Sequence, residues 1–443
     1  MTLSGRAIAE DVRTPARSPH GDAAEAVPPA TSEPSPNRGA TLDGGVAPSA
    51  AARKLRASPY PAVVGQAMLQ MARVRTFLWD RALRDVRATQ LQQLASIVGP
   101  AATTEYGRKH DFAGVRTYED FAARVPVGDY DAFSPYLDRM RAGEVNVLVP
   151  ERIEYFGNSS GSSVQGKPKF LPISERQIKL QQLAGGDGFL RYLAHARDAS
   201  FPTGFTMGLF PPITMRREGP SFITSNPALM ATRMPLSSRP IYLPDDATRA
   251  IADYDRKLEV IARLYLDYDV RGVTGTTCWF SVLFEKLLAE ARRRGRRARH
   301  VRDVWPNLKV LFGGGVSAEP YLPVLRDFFG SDDFTLVDTY NATEGGIYGS
   351  SDFSGERGLL VSPHRGVFYE FVPLEDIDSP RPRRVPLWAV ERDKPYAIVV
   401  STVSGLYAYK LGDIVRFPSV NPHRIEFMGR LSGCLSVTQE LPT

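Results

Sequence analysis

Between residues 60 and 98, apolar side chains recur at helical spacing. Ala67, Met68, Met71, Val74, Leu78 and Ala82 approximate one face, as a 3.6-residue period requires. A second amphipathic segment covers 118–133 and is interrupted at Pro126. The character then changes. Residues 146–149 and 154–156 read as short strands, and a run of serines and glycines follows at once. Residues 174–194 return to helix, opened by Ser174 and Gln177 at capping-box spacing. Beyond them, 206–209 reads as a strand, 250–266 and 280–294 as helices, and 308–312 and 334–338 as strands. Three further strands, 397–402, 413–417 and 424–428, close the series. Strands alternating with helices predict an α/β fold, with mostly parallel sheets flanked by helices. Ligands of such sheets sit in crevices at the carboxyl ends of strands, and three candidate loops fall where predicted strands end. No internal repeat is present.

Composition changes this picture at one end only. The chain has 443 residues and is 43% hydrophobic, enough for a sizeable core in one large domain or a few compact ones. The first ~56 residues are different: Ala, Pro, Ser, Gly and Asp dominate and large apolar residues are scarce, so burial cannot offset ordering entropy and disorder is expected. That stretch lacks a signal-peptide apolar run, and its acidic residues argue against a transit peptide. No stretch reaches the length of a membrane-spanning helix. A cytoplasmic protein with no membrane partner is the expectation. Cys278 and Cys434 are the two cysteines; they support neither a disulfide framework nor a zinc site and read as reduced thiols.

The net charge of +6 is concentrated locally, with five arginines in 292–297 and three in 381–384. The first run reads as a solvated helix end, where cations favour the helix dipole. No nucleic-acid motif or aromatic interleaving accompanies it, so nucleic acid is not an expected partner. An acidic partner, such as a carrier protein, would suit it at least as well.

The richest chemistry lies at 158–169, which reads NSSGSSVQGKPK. Small residues let backbone N–H groups converge on an anion. Ser159, Ser160, Ser162 and Ser163 add hydroxyl donors, Gly161 and Gly166 give backbone freedom, and Lys167 and Lys169 add positive charge. Gly161 to Lys167 matches the spacing of a Walker-type loop, but Pro168 stands where magnesium-binding Ser or Thr is needed, so that loop type is rejected. Composition alone would also describe a plain Ser/Gly surface turn. Two more loops bear on the choice. Residues 337–346 carry Tyr340, Thr343 and Glu344 before two glycines; a tyrosine can stack on a purine, and a hydroxyl beside a carboxylate suits a magnesium–phosphate site. Residues 405–413 end on Asp413, a carboxylate at a glycine turn that could bind ribose hydroxyls. Each of these alone also reads as an ordinary turn.

Taken together and in this order, the loops resemble those of the acyl-adenylate-forming superfamily, and most closely the auxin-responsive family of acyl acid amido synthetases. The likeness runs from about residue 88 to the end. It includes 104–110 (TEYGRKH), 118–121 (YEDF), 125–127 (VPV), 143–148 (GEVNVL) and 305–309 (WPNLK), the last running into Gly313, Gly314 and Gly315. The resemblance implies ATP and magnesium as cofactors. The loop 159–169 would wrap the phosphates, with Lys169 catalytic. Gly313, Gly314, Gly315 and Val316 would pass along the adenine, and Tyr340 would pack on its face. Thr343 would contact the α-phosphate, Glu344 would ligate magnesium, Asp413 would hold the ribose, and Arg430 would lie near the ribose–phosphate at a hinge. The acid would sit near 275–280, against Thr276, Trp279 and Phe280, although the two aromatics also suit a core.

The implied layout is a tail over 1–56, an ATP- and acyl-binding domain over 57–428, and a hinge over 429–443 that opens a truncated lid domain. Two local departures stand out: Val164-Gln165 lengthens the phosphate loop, and Thr343 replaces the usual Ser. The implied function is activation of a small carboxylic acid as its adenylate, then amide formation with an amine or amino acid. The alternatives are transfer to a carrier-protein or coenzyme thiol, or a lid-less module that binds ATP or acid and works with a separate lid partner.

Overall fold

Five short parallel strands lead into three of the segments on which the sequence places its chemistry, 275–280, 313–316 and 337–346. In the computed structural model, which describes residues 55–159 and 168–431, they lie in the order Tyr242–Leu243, Phe205–Leu209, Val270–Gly275, Val310–Phe312, Thr335–Val337. Each face is covered by helices, as hydrophobic strands with two buried faces require. On one side, Tyr254–Leu264 and Cys278–Arg293 bury Leu258, Ile261, Phe280, Leu283, Phe284 and Leu287 against Met207, Val273 and Leu311. On the other, Ala62–Arg84 and Glu175–Ala196 bring Leu69, Ala72, Leu190 and Leu193 to Val310 and Val337. Burying each such side chain contributes roughly 1.5–3 kcal/mol. The expected α/β class is therefore present.

Two further sheets flank this layer. A four-stranded sheet holds Tyr155–Ser159 and Lys169–Ile173, antiparallel partners with Ser159 opposite Lys169, so the Ser/Gly segment joins two neighbouring strands. An eight-stranded sheet, whose pairings are all antiparallel, contains Thr339–Ala342, Gly346–Ser350, Tyr409–Val420 and His423–Arg430. The alternation of strands and helices does not announce it.

The predicted helices and strands are found with shifted ends. The first helix stops at Arg84, and a second begins at Val86 with the Asp85 carboxylate accepting from the Ala88 N–H. Its buried face is not the predicted one: Gly65, Leu69, Ala72 and Trp79 point inward, whereas Met71, Val74 and Leu78 are exposed. The predicted strand at 146–149 is absent. Asn146 has φ +61, and the Asn146 and Val147 carbonyls accept from the Glu105 and Tyr106 N–H groups at a helix start instead of a ladder. Arg56 exchanges backbone hydrogen bonds with Asp267 and Asp269, so order reaches just inside the predicted tail. The rest of that tail, 1–54, together with Cys434 and the hinge beyond Leu431, lies outside the described residues.

The arginine runs are tied down internally. Arg293 and Arg294 pair with Glu290, Arg296 with Asp267, and Arg384 with the buried Glu370. Among the described residues, no helix is long and apolar enough to cross a membrane.

Candidate active site

The carboxyl edge of the parallel sheet brings together four of the predicted segments. The Val310–Phe312 strand runs into Gly313, whose N–H donates to the Val337 carbonyl at 2.8 Å. The Thr339 hydroxyl donates to the Gly313 carbonyl, also at 2.8 Å. These contacts need glycine. A Cβ on Gly313 would stand 2.4 Å from Thr277 Oγ1, and one on Gly314 would stand 2.4 Å from Thr339 Oγ1. Gly315 has φ +80, a conformation glycine adopts without cost. Val316 follows, exposed. Thr276 and Thr277 therefore lie against 313–315. Trp279 is 36% exposed. Phe280 is not available at any surface: it is fully buried in the core of the helical layer, because it faces inward from the first turn of its helix.

Tyr340, Asp413 and Arg430 form a second group. The Tyr340 hydroxyl donates to Asp413 Oδ2 at 2.8 Å. Asp413 and Arg430 are register partners on adjacent strands, with Arg430 Nε 3.2 Å from Oδ1. That approach is too poorly aligned to count as a hydrogen bond, and Oδ1 is otherwise without a partner. Burial raises the Asp413 carboxyl, opposed by Tyr340 and Arg430.

Thr343 and Glu344 occupy the turn after Thr339–Ala342. The Gln177 side-chain amide donates to the Thr343 carbonyl at 3.0 Å. The Thr343 methyl packs so closely on Gly157 that a Cβ there would stand 2.4 Å away. Glu344 is buried without an ion-pair partner among the described residues. Desolvation pushes its carboxyl up to about 7, with the charge of Lys169 opposing this. Lys169 opens its strand with Nζ 5.6 Å from the centre of the Tyr130 ring. Ser159 closes the preceding strand. Ser160, Gly161, Ser162, Ser163, Gly166 and Lys167 lie outside the described residues.

Several participants escape sequence reasoning. Tyr348 and Tyr409 lie beside this turn and Tyr130 beside Lys169; among the described residues, the buried hydroxyls of Tyr348 and Tyr409 lack partners, as does Thr277 Oγ1. Nothing in their spacing marks them. Gln177 has a signal, its capping-box position. The Ser174 hydroxyl does accept from the Gln177 N–H at 3.1 Å, but the Gln177 amide turns away to Thr343. Unpartnered buried polar atoms beside an unpaired carboxylate fit a polar ligand with a cation. No group of three or more His, Cys, Asp or Glu side chains that could hold a metal occurs among the described residues. Glu344 would then be a lone protein ligand, which suits magnesium held mainly by phosphates.

The GH3 family N-terminal domain matches residues 79–204 and the GH3 family central domain matches 360–430. A jasmonoyl–L-amino acid synthetase of Nicotiana attenuata is 24% identical over 418 residues, covering 80% of this chain and 71% of the relative. A probable indole-3-acetic acid-amido synthetase of Oryza sativa subsp. japonica is 23% identical over 448 residues, covering 81% and 71%. Among solved structures, an acyl acid amido synthetase in complex with 2,4-DB superposes with a TM-score of 0.68 at 18% identity, covering 84% of this chain and 71% of that one. The chain thus matches the N-terminal and central domains of the GH3 family and shares the fold of an acyl acid amido synthetase.

Proposed function

We propose that this protein is an AMP-forming ligase that activates a carboxylic acid with ATP and joins it to an amine or amino acid. The observation that carries this reading is the convergence of the Gly313–Gly315 backbone, the Tyr340–Asp413–Arg430 group and the buried Glu344, unpaired among the described residues, at one sheet edge. Relatives named as amido synthetases of jasmonate and indole-3-acetate support it. Residues 57–428 are taken as the adenylating domain.

In this reading the adenine lies along 313–316 with Tyr340 on its face, and Asp413 holds the ribose hydroxyls. The substrate carboxylate attacks the α-phosphorus and pyrophosphate leaves. Lys169, the 159–169 N–H groups and Thr343 orient the phosphates and offset the developing charge, which is where catalysis of such transfers lies. Glu344 would hold magnesium, which would supply further neutralisation of the phosphate charge. The amine then attacks the acyl carbonyl, AMP leaves, and the amine proton passes to solvent.

The test is isotope exchange from pyrophosphate into ATP across a panel of acids, with amide product measured on adding amino acids. Exchange dependent on one acid class, reduced about 100-fold or more in Glu344→Ala, is expected from the loss of a charge-stabilising group. No exchange with any acid would overturn the reading. Full exchange in the variant would overturn the metal-ligand role.

A further inference from the structure

The parallel sheet reverses direction at one point. From Phe205–Leu209 the chain first adds Tyr242–Leu243 on one side, then returns to place Val270–Gly275 on the other. Between the carboxyl ends of those two central strands lies the topological switch point, where open α/β sheets form their ligand crevice. The ends approach closely: Gly275 has φ +154, and a Cβ on it would stand 2.7 Å from the Leu209 carbonyl oxygen.

One side chain at this point has no explanation in the fold. Lys257 comes from the Tyr254–Leu264 helix, is 2% exposed, and extends its Nζ to 3.5 Å from the carbonyl of Phe210, the first residue past the strand. It also stands 5.5 Å from the centre of the Tyr254 ring, which packs on Trp279 at 4.3 Å. Trp279 belongs to the segment facing the Gly313–Gly315 backbone. The other buried cations have carboxylate partners: Arg249 pairs with Asp246, and Arg424 with Asp352. Lys257 pairs with none among the described residues, and burial pulls its ammonium down with no charge to oppose it. A buried ammonium with one long hydrogen bond is costly. Two of its three donors remain for a ligand.

We propose that Lys257 binds a second carboxylate, at the far end of the acid substrate, so that the site selects dicarboxylic acids over monoacids of equal length. This rests on the acid-activating reading. The reacting carboxylate lies toward Gly313 and Thr343, and the distal one meets Lys257 at the switch point.

Calorimetric binding to the full chain, with a non-hydrolysable ATP analogue present, tests it without requiring turnover. The ligands are a length series of α,ω-dicarboxylates and the matching monocarboxylates. One dicarboxylate should bind about tenfold or more tightly than its monoacid, the usual worth of a charged hydrogen bond. Lys257→Met should erase that difference, leave monoacid binding within about threefold, and leave or raise the ligand-free Tm. Should that variant not fold, Lys257→Gln keeps a donor for Phe210 and removes the charge; it should erase the preference equally. A parent that does not prefer any dicarboxylate overturns the proposal, as does a preference that survives loss of the charge. Failure of pyrophosphate exchange alongside the expected binding would instead count against adenylation.

Discussion

Gln177 ties together three segments that each carry part of the site. Its amide donates to the Thr343 carbonyl, its carbonyl accepts from the Ser404 hydroxyl, and Ser404 in turn accepts from the Ser174 N–H at 3.0 Å. Ser174 follows the Lys169–Ile173 strand, and Ser404 precedes the stretch that leads to Asp413. All three side chains are essentially inaccessible. In so dry a place each group left unpartnered costs about 1–3 kcal/mol. Gln177→Leu should therefore lower stability by about 2 kcal/mol or more in denaturant unfolding, and slow pyrophosphate exchange about tenfold by loosening the Thr343–Glu344 turn. Unchanged stability and exchange would mean that the amide holds nothing. Gln177→Glu makes a finer comparison, because it keeps an acceptor for Ser404 and loses the donor to Thr343.

Between elements, the tightest requirement is the approach of the Thr343 turn to the Tyr155–Ser159 strand. Gly157→Ala would put a Cβ 2.4 Å from Thr343 Cγ2 and 3.1 Å from Ile173 Cδ1. Overpacking of this kind costs about 1–3 kcal/mol. The clash is with one methyl, and Thr is stiff about χ1. Adding Thr343→Ser should restore most of the loss, a coupling that a double-mutant cycle of unfolding free energies would measure. Additive losses would place the strain elsewhere. This contact also shows what was legible in the sequence. The strands before and after it were readable from their apolar runs, and Thr343 from its loop. That Gly157 must be glycine was not, because the reason lies almost two hundred residues away. The first helix fails differently. It carries apolar residues on both faces, so periodicity alone could not choose between Met71, Val74 and Leu78 and the true inner row of Leu69, Ala72 and Trp79. Tyr130, Tyr348 and Tyr409 look like any strand or helix aromatics until two strands of the antiparallel sheet bring Tyr348 and Tyr409 near Glu344 and a helix brings Tyr130 to Lys169.

Across the whole molecule, the helical cover of the parallel sheet meets the antiparallel sheet at one charged junction. Asp187 on the Glu175–Ala196 helix pairs with Arg75 from the first helix at 2.9 Å, and with Arg365 from the connection between strands of the antiparallel sheet. Arg191 lies over the Trp79 ring at 4.5 Å. His364 is enclosed there, 6.4 Å from Trp79 between ring centres, with both ring nitrogens without a hydrogen-bond partner among the described residues. Three arginines face it, Arg365, Arg191 and Arg75, and one carboxylate, Asp187. Burial first, then those cations, pulls the imidazole down to about 3 from its ordinary 6.5. The direction of the consequence follows from proton counts. Below pH 6.5 the unfolded chain protonates His364 and the folded one does not, so this residue's contribution is intact above 6.5 and is lost as pH falls toward 3. Replacing it by His364→Leu removes one proton of uptake on unfolding. The slope of unfolding free energy against pH between about 4 and 6 should then flatten by up to about 1.4 kcal/mol per pH unit. Denaturant titrations of the two proteins across that range measure it. Because the junction joins the two sheet systems, early acid unfolding should appear in both at once, and equal slopes for parent and variant would show that His364 takes up its proton without opening the junction.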